Sequence, residues 1–528
     1  MRSFLVFALL SAVVVCAHAR VVLLEAEAFD NPGGWSLDQQ FMDQMGSPFL
    51  LAHGLGKPVA DATASAMFPA AGAYRVWVRT RDWVAPWQGP GAPGRFEVLV
   101  NGKAMPVTFG TEGTDWHWQD GGSVDIPAGK TTVALHDLTG FEGRCDAIAF
   151  SDDPTFTPPN DAKPLLKWRR KTLGLSKRPA DGGSYDFVVV GGGMAGTCAA
   201  ISAARLGCNV ALVQDRPVLG GNNSSEVRVH LSGRINLPPY PALGNLVKEL
   251  DSGLKGNAQT ADHYGDDKKL ALVRSTENLT LFLGARMTNV EMNENRIASI
   301  VVRDVQTGRE TRLSAPLFAD CTGDANLGYL AGADFRQGPE SRAETGESMA
   351  PERPNNETMG TSIMWYSEDA QQPVAFPECP WAVQFTDETC QRTKRGEWDW
   401  ETGLNRDQVN DFEFIRDHGM RAAYGNWAYL KNKASDNAEY ANLDLVWMAY
   451  IGGKRESRRL LGDVILQQQD VQEQRPYPDG LVTTEWPIDL HFPKPENAKH
   501  FPGEEFRTDA THETITPYLI PYRCLYSR

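Results

Sequence analysis

Cysteine is scarce in this chain, with 8 residues in 528. A small scaffold held together by disulfide bonds has a much denser set of cysteines, so that class of protein is excluded. The sequence also has no CxxC pair and no Cys/His spacing typical of zinc. The chain must therefore fold around a hydrophobic core, and its 41% hydrophobic residues, with 22 Phe and 14 Trp, are sufficient to form one.

An excess of positive charge is also lacking. Lys and Arg number 52 against 67 Asp and Glu, which gives a net charge of −15. A basic groove that follows a phosphate backbone needs the opposite balance, so nucleic acid is not an expected partner. No apolar run reaches the roughly 20 residues that span a bilayer, and we expect no transmembrane segment. At roughly 150 residues per domain, the length predicts about three domains.

Residues 1–19 have the pattern of a cleavable signal peptide. Arg2 supplies the positive charge, residues 4–15 form an apolar run, and residues 17–19 (AHA) form a small-x-small cleavage site. The apolar run is too short for a membrane anchor. We therefore expect a secreted or periplasmic protein.

Residues 20–155 have the pattern of a β-sandwich. Runs of alternating or apolar residues at 74–79, 96–100 and 131–135 are separated by turn residues, which is typical of antiparallel strands. Asn101 and Gly102 tolerate positive φ and predict a hairpin turn. The region contains six tryptophans: Trp35, Trp77, Trp83, Trp87, Trp116 and Trp118. Their rings are expected either to stack on sugar faces or to form the core.

This region resembles the carbohydrate-binding-like jelly-roll domains that are attached to secreted enzymes. The resemblance lies in residues 25–27 (EAE), 72–79 (GAYRVWVR) and 145–150 (CDAIAF). In such domains, carboxylates of the first and last strands hold a structural calcium ion, for which oxygen ligands are suited. The resemblance implies a metal site formed by Glu25, Glu27 and Asp146. The alternative is that these carboxylates are exposed on their strands.

Residues 156–184 are expected to connect two folded regions. Seven cations lie between 163 and 178 without an acid among them: Lys163, Lys167, Arg169, Arg170, Lys171, Lys177 and Arg178. Such a run is typical of a solvated linker or of a segment that docks against an acidic neighbour.

The strongest motif follows this segment. Residues 187–190 (FVVV) predict a buried strand, residues 191–196 (GGGMAG) match the pattern GxGxxG, and an Ala-rich helix leads to a second strand at 209–213. The first glycine permits a tight turn, the second lets the backbone approach a pyrophosphate, and the third allows close packing of helix and strand. A complete strand-turn-helix-strand unit with these glycines predicts dinucleotide binding.

The residue that ends the second strand departs from the usual pattern. An acid normally binds the ribose hydroxyls there, but this sequence has Gln214, followed by Asp215 and Arg216. A glutamine can accept from one hydroxyl and donate to another, so ribose binding is altered and not excluded. Arg216 could pair with a phosphate group, so NADP is an alternative cofactor.

Two further motifs resemble segments of glutathione-reductase-like FAD proteins. Residues 216–225 (RPVLGGNNSS) resemble the glycine-containing stretch after the second strand, and residues 315–324 (APLFADCTGD) resemble the second flavin motif. With residues 453–459 (GKRESRR), the chain from 185 onward resembles the secreted FAD-dependent oxidoreductase family of carbohydrate-degrading bacteria. The resemblance implies FAD as the cofactor. The expected cofactor-binding residues are Gly191, Gly193, Met194, Ala195, Gly196, Gln214, Asp215, Arg216, Gly220, Gly221, Asn222, Gly323 and Asp324.

The predicted fold is multidomain: an N-terminal β-sandwich and an α/β Rossmann-type FAD-binding domain with an α+β substrate insertion. The expected segments are a signal peptide (1–19), the sandwich (20–155), a basic linker (156–184), the FAD-binding domain (185–335), the substrate insertion (336–505) and a return to the FAD domain (506–528). In the family that it resembles, a final strand and helix follow the motif at 520–525 (IPYRCL). We therefore expect this chain to be a C-terminally truncated fragment.

These features predict a secreted FAD-dependent oxidoreductase that transfers hydride to flavin from a saccharide or related polar metabolite. Oxidation of an alcohol needs a base, and His230 and His491 are the candidates; the alternative for each is a hydrogen-bonded structural imidazole. Arg228, Arg455 and Glu456 are candidate substrate ligands, and the last two can instead form a buried ion pair. The electron acceptor stays open. The alternative is a non-catalytic carbohydrate-binding protein with a degenerate or incomplete flavin fold.

Overall fold

The computed structural model describes residues 20–513 and 516–527. The predicted signal peptide, residues 1–19, lies outside the described residues. The N-terminal region contains one short helix, α1 (Met42–Met45). Its strands are β1 (Val21–Glu25), β2 (Ser36–Asp38), β3 (Phe49–Ala52), β4 (Ala62–Phe68), β5 (Gly72–Thr80), β6 (Phe96–Val100), β7 (Lys103–Phe109), β8 (His117–Ile126), β9 (Gly129–Asp137), β10 (Gly143–Cys145) and β11 (Ala147–Ser151).

These strands form two four-stranded antiparallel sheets, in the orders β1-β11-β5-β8 and β4-β9-β6-β7, with a third small sheet, β10-β3-β2. Alternate residues of each strand face inward, so that Tyr74 and Val76 of β5 meet Phe96 and Val98 of β6 in one core. The structure confirms the strands predicted in this β-rich region. The hairpin between β6 and β7 turns at Asn101 and Gly102, which have φ of 50° and 76°.

Most tryptophans of this region belong to the core. Trp35, Trp77, Trp83, Trp116 and Trp118 are buried. Trp87 is only partly buried, but its ring stacks on Phe414, with centroids 4.3 Å apart. The expectation that these rings form a sugar platform is therefore not supported, since protein atoms cover them.

The basic segment is a docked helix and not a solvated linker. Helix α2 (Ala162–Thr172) packs Leu165 and Trp168 against the outer face of the first sheet. Its Arg169 is buried and binds the carboxylates of Glu25 and Asp146, while Arg170 pairs with Glu310 at 2.7 Å. Of the two predicted alternatives, the segment is therefore one that docks against an acidic neighbour, here Glu25, Asp146 and Glu310.

The same contacts correct the predicted calcium site. The guanidinium of Arg169 lies 3.2 Å from Glu25 and also binds Asp146, which accepts a second bond of 2.7 Å from Arg79. The positive charge near Glu25, Glu27 and Asp146 is thus supplied by arginine. Burial raises the pKa of Glu25 to about 7, against the opposing effect of Arg169. Across the described ranges, no cluster of three or more His, Cys, Asp or Glu could hold a metal ion.

The second region is built on a parallel sheet. Its strands are β12 (Ala180–Ser184), β13 (Phe187–Val190), β14 (Val210–Gln214), β15 (Leu279–Leu283), β16 (Ala285–Asn293), β17 (Arg296–Asp304), β18 (Glu310–Ser314) and β19 (Leu317–Asp320). Its helices are α3 (Met194–Arg205), α4 (Asn245–Leu250), α5 (Asp266–Ser275) and α6 (Asn326–Leu330). The parallel sheet has the order β15-β14-β13-β19, and α3 connects β13 to β14.

Both faces of the parallel sheet are covered, which explains why its strands are continuous apolar runs. On one face, Val188 and Val190 pack against the sheet β12-β18-β17-β16. On the other face, Val189 packs against Ile201 of α3 and Val273 of α5. The carboxyl ends of the strands stay free of this packing, and loops gather there.

The third region consists mainly of short antiparallel strands around one long helix. Its strands are β20 (Phe335–Arg336), β21 (Thr361–Ser362), β22 (Trp365–Asp369), β23 (Arg395–Gly396), β24 (Glu401–Thr402), β25 (Leu443–Met448), β26 (Gly453–Lys454), β27 (Arg459–Leu460), β28 (Gly480–Thr484), β29 (Ile488–Pro493), β30 (Thr508–Glu513) and β31 (Tyr518–Pro521). Its helices are α7 (Arg342–Thr345), α8 (Phe412–Asn432), α9 (Gln468–Gln472) and α10 (Pro495–His500).

Helix α8 joins the third region to the sandwich. Trp83 and Phe141 of the sandwich pack with Tyr424 and Trp427 of α8 in one hydrophobic cluster. Beside this cluster lies a buried network of charged residues. Arg144 of β10 pairs with Glu413 and Asp417, and Arg416 pairs with Asp417 and with Asp38 of β2, at 2.6 to 2.8 Å. A buried arginine without its carboxylate would cost several kcal/mol, so this network fixes the sandwich against the third region.

All cysteines within the described part of the chain are free thiols. Among the described residues, none of the helices has the length and apolar character required to cross a bilayer.

Candidate cofactor and active site

The carboxyl end of β13 leads into a loop whose backbone only glycine permits. Gly191 has φ of 104°, and a Cβ placed there would lie 2.2 Å from the carbonyl oxygen of Cys321. A Cβ on Gly196 would lie 1.8 Å from the carbonyl oxygen of Gly191. Both glycines therefore pack the loop against α3 and β19, as the sequence motif predicts.

Gly193 differs from these two glycines. Its Cβ would meet only the Cα of Gly221, 3.9 Å away, so the protein itself leaves room for a side chain there. The first residue of α3 is Met194, and the unpaired N–H groups of its first turn lie at the same place. We define the glycine cradle as Gly191, Gly193, Gly220, Gly221 and Gly323, which line one cavity.

This cavity has a volume of about 530 Å³. It collects the following predicted cofactor residues: Gly191, Gly193, Met194, Ala195, Gln214, Asp215, Arg216, Gly220, Gly221, Asn222, Gly323 and Asp324. Gly196 does not line it, since it packs the turn from behind. The two glycine-rich motifs and the Gly-Asp turn, which are distant in sequence, therefore meet in one place.

The side chain of Gln214 is committed to the loop. Its Oε1 accepts from the N–H of Gly192 at 2.7 Å, and its Nε2 donates to the carbonyl of Val218 at 2.9 Å. Asp215 is the acid at this end of β14, and Arg286 of β16 binds it at 2.8 Å. The carboxylate at the end of β14 thus comes one residue later than in the usual pattern and is paired with an arginine.

Arg216 lies beside the cradle, with a terminal nitrogen 3.8 Å from the Cβ position of Gly221. It pairs with Glu226 at 3.3 Å. Burial raises the pKa of Glu226 to about 7, against the lowering effect of Arg216. This arginine places a positive charge next to the backbone that is expected to hold a pyrophosphate.

Side chains from distant segments form the rest of the cavity. We define the polar wall as His230, Asp324, Lys454, Arg455 and Glu456, all of which line the cavity. Asp324 accepts from Lys454 at 2.7 Å and from Ser457 at 2.6 Å. Burial lowers the pKa of the Lys454 ammonium, and the contact with Asp324 opposes this shift.

His230 is held in a defined orientation. Its Nδ1 lies 2.8 Å from Oδ1 of Asn257, and the same oxygen accepts from the backbone N–H of His230 at 3.2 Å. The Nδ2 of Asn257 lies 3.5 Å from Oε2 of Glu397. An amide oxygen only accepts hydrogen bonds, so Nδ1 carries the proton and Nε2 keeps its lone pair. This lone pair can accept a proton from a ligand in the cavity.

Arg455 and Glu456 do not pair with each other. Arg455 lies 3.8 Å from Asp489, while Glu456 accepts from the N–H of Met359 at 3.0 Å and from Arg459 at 2.5 Å. The oxygens of Glu456 are therefore already bound, whereas the guanidinium of Arg455 lies 3.8 Å from Asp489 and 5.6 Å from the centroid of the Trp398 ring. Of these two residues, Arg455 is better suited to bind a ligand.

Two predicted residues lie away from the cavity wall. Arg228 donates to the carbonyls of Ser225 and Gln259, and its guanidinium stacks on Trp447 at 4.0 Å. It is buried and shapes the loop that carries His230. The expected substrate contact of Arg228 is thus replaced by a contact that holds the loop.

His491 lies in a different place from His230. It is buried, with Nδ1 2.6 Å from Glu401 and Nε2 3.2 Å from Asp489. It lines a separate cavity with Trp87 and other residues. Both nitrogens are occupied by carboxylates, so the geometry gives His491 no direct access to a ligand in the cradle.

The cavity fits a flavin adenine dinucleotide. The cradle offers backbone N–H groups and the first turn of α3 for a pyrophosphate, which a Cβ at Gly193 would obstruct. Two buried polar atoms on its lining residues have no partner in the described structure, Oδ1 of Asn223 and Nε2 of Gln39. Fold and site therefore define an enzyme of the class that binds a dinucleotide at the carboxyl ends of a parallel sheet.

The chain belongs to the FAD dependent oxidoreductase family, whose model matches residues 186–528. This membership confirms the prediction of the FAD-dependent oxidoreductase class, and it supports FAD as the cofactor.

Parts of the chain are similar to solved structures. L-proline dehydrogenase from P. horikoshii has 17% identity over 28% of this chain and 24% of that chain, with a TM-score of 0.18. Thermovibrio ammonificans THI4 has 17% identity over 32% of this chain and 76% of that chain, with a TM-score of 0.23. A family 35 carbohydrate binding module from Clostridium thermocellum has 16% identity over 25% of this chain and 97% of that chain, with a TM-score of 0.20. The chain spans 24% of the proline dehydrogenase and 36% of the flavin-dependent monooxygenase PieE.

Several site residues were not predicted from the sequence. Lys454 and Ser457 line the cavity and lie in the segment 453–459, whose resemblance to the family could have indicated them. Arg286, Asn257 and Glu397 belong to no motif, and only the folded chain brings them to the cavity or to His230.

Proposed function

We propose that the protein oxidises a hydroxyl group of a saccharide or a related polar metabolite by hydride transfer to FAD. The observation that carries this proposal is the position of His230 on the wall of the cofactor cavity, with Nδ1 held by Asn257 at 2.8 Å. A hydroxyl group loses a proton and a hydride when it becomes a carbonyl, so its oxidation needs a base close to the hydride acceptor.

Asn257 and Glu397 support this role by holding His230. Asn257 keeps the proton on Nδ1 and therefore keeps Nε2 as the acceptor. The carboxylate of Glu397 lies within 3.5 Å of the Asn257 amide and favours the amide orientation that this requires. Neither residue reaches the cavity, so both are positioning residues.

The mixed charges of the polar wall support a hydroxylated substrate. Arg455 and Lys454 donate hydrogen bonds, whereas Asp324 accepts them, and these groups lie in one cavity with His230. A molecule with several hydroxyl groups can both donate and accept, and it satisfies such a wall better than an apolar molecule does.

The residues that would hold the cofactor are those of the glycine cradle and of the end of β14. The cradle and the N-terminus of α3 would bind a pyrophosphate, and Asp215 with Arg286 would bind the ribose side. When bound, FAD supplies the hydride acceptor. The alternative, a non-catalytic carbohydrate-binding protein, is not favoured, because the chain retains all three glycines of the GxGxxG motif, Gly191, Gly193 and Gly196.

The test is a substrate screen under anaerobic conditions. The FAD-loaded protein is mixed with aldoses, sugar alcohols, sugar acids, hydroxy acids and amino acids, and loss of the oxidised flavin absorption band is recorded. The proposal requires reduction by at least one hydroxylated sugar class. Reduction by amino acids alone would reject the saccharide assignment.

We also propose that the protein is exported. The support is the signal pattern in residues 1–19, together with the contacts of Arg20, whose backbone N–H donates to Asp152 at 2.8 Å. A chain cleaved before Arg20 would keep this contact with a charged amino group. Mass spectrometry of the protein from the extracellular or periplasmic fraction tests this, and an intact Met1 in that fraction would contradict it.

A further inference from the structure

The sandwich contributes directly to the cofactor cavity. Gln39 and Gln40, which follow β2, line the cavity together with the cradle. Gln40 is fully engaged, since its Nε2 donates to Asp38 and to the carbonyl of Tyr450, and its Oε1 accepts from the N–H of Gly452. It thereby connects the sandwich to the segment that leads into the polar wall.

Gln39 is different because its amide nitrogen has no partner. The residue is 1% exposed, and its Nε2 is buried without a hydrogen bond in the described structure. A buried donor without a partner costs free energy that folded proteins normally avoid. Because Gln39 lies on the cavity wall, the missing acceptor can come from a ligand in the cavity.

The position of Gln39 along the cavity identifies which part of the cofactor lies nearest. The carbonyl of Gln39 accepts from Arg286 at 3.3 Å, and the same arginine nitrogen donates to Asp215 at 2.8 Å. Arg286 also binds Asp43 of α1 at 2.6 Å. The end of the second strand, here Asp215, is where dinucleotide-binding folds hold the adenosine ribose. The guanidinium of Arg286 therefore connects Gln39 to Asp215, at the end of the cavity where the adenosine ribose is expected.

We propose that the segment from Gln39 to Asp43 binds the adenosine half of the cofactor. Gln39 donates to an acceptor atom of the adenosine, and Asp43 with Arg286 fixes Asp215 for the ribose. The sandwich is then part of the cofactor site and not a separate glycan-binding attachment. This proposal rests on the assignment of the cavity to FAD, and it does not depend on the proposed substrate or base.

The test compares binding of FAD with binding of ADP, which contains the adenosine and pyrophosphate but no flavin. FAD affinity is measured by quenching of flavin fluorescence, and ADP affinity is measured by its competition with FAD. The variants are Gln39→Met and Gln39→Glu, which remove the donor and keep the shape. Gln44→Leu is the matched control, because Gln44 donates to the carbonyls of Val409 and Asn410 outside the cavity.

We expect Gln39→Met to weaken FAD and ADP by the same factor, about fivefold, while Gln44→Leu leaves both unchanged. Equal affinities in the wild type and both Gln39 variants would overturn the proposal. A loss for FAD without a loss for ADP would also overturn it, since the contact would then lie in the flavin half. Failure of the folded wild type to bind FAD would instead reject the assignment of the cavity.

Discussion

The two parts of the cavity are built in opposite ways. The glycine cradle uses backbone atoms from loops at the carboxyl ends of β13, β14 and β19, and side chains are excluded from its turn at Gly191. The polar wall uses side chains from segments far apart in sequence: Lys454 lies 130 residues from Asp324 and binds it at 2.7 Å. The cradle is suited to hold a cofactor, and the wall is suited to act on a substrate.

Because of this difference, we expect mutations to affect either cofactor affinity or the rate of the reaction, but not both. A change in the wall should leave cofactor affinity intact, and a change at Gly193 of the cradle should weaken cofactor binding without affecting the fold. The strongest test of this separation is on His230.

We expect His230→Gln to lower the rate of flavin reduction by about 100- to 10,000-fold, because it removes the base. The FAD affinity should stay within about twofold of the wild type, since His230 is not part of the cradle. Anaerobic stopped-flow measurement with the best substrate gives the rate. A variant that loses FAD affinity and rate together would break the division between wall and cradle.

The second prediction concerns Asn257, which acts through His230. Asn257→Leu should lower kcat by up to about 100-fold, because the imidazole loses the acceptor that fixes its tautomer. Asn257→Asp keeps an oxygen at that position and should restore most of kcat, with KM unchanged in both variants. Equal losses in the two variants would show that Asn257 has only a packing role.

The third prediction concerns the cradle itself. Gly193→Ala should weaken FAD by at least tenfold, or about 1.4 kcal/mol, because its Cβ would occupy the path of the pyrophosphate. The protein leaves 3.9 Å of space there, so the melting temperature should not fall. Gly191→Ala is the contrasting variant, since its Cβ would lie 2.2 Å from a carbonyl oxygen and should destabilise the fold. Unchanged FAD affinity in Gly193→Ala would place the pyrophosphate elsewhere.

The fourth prediction concerns Glu226 beside the cradle and tests stability and not cofactor binding. Its folded pKa is raised by burial to about 7 from 4.5, so the folded protein binds more protons than the unfolded chain between these values. The stabilising contribution is therefore complete below pH 4.5 and is lost as the pH rises through about 7. Glu226→Gln should remove this dependence and gain stability relative to the wild type above about pH 7.

Melting temperatures of the wild type and variant across this pH range provide the measurement. Glu249→Gln is the control, because the hydrogen bond from Arg205 lowers the pKa of this exposed carboxylate. Its pH effect should be small and of the opposite sign. Parallel pH curves for the wild type and Glu226→Gln would contradict the raised pKa.

The sequence predicted the parts of the fold that depend on short segments. The strand at 187–190, the glycine turn and the helix after it lie within 20 residues, and their pattern is local. The hairpin at Asn101 and Gly102 was predictable for the same reason. Gln39 and Glu397 could not be assigned, because their roles depend on contacts between distant segments.

The calcium prediction was wrong for the same reason, because it depended on a contact with a distant segment. Glu25, Glu27 and Asp146 do lie near each other, but Arg169 is separated from Glu25 by more than a hundred residues and binds there. No pattern within the strands indicates which helix will cover them. The burial of Trp83 against α8 was unpredictable for the same reason, since the covering residues come from the third region.

The most direct test of this account is the visible absorption spectrum of the purified protein after it is loaded with FAD and freed of excess cofactor, recorded for the wild type, His230→Gln and Gly193→Ala. The account predicts a retained flavin band in the wild type and in His230→Gln, and a much weaker band in Gly193→Ala. A folded wild type without retained flavin, or a Gly193→Ala variant with the full band, would contradict it.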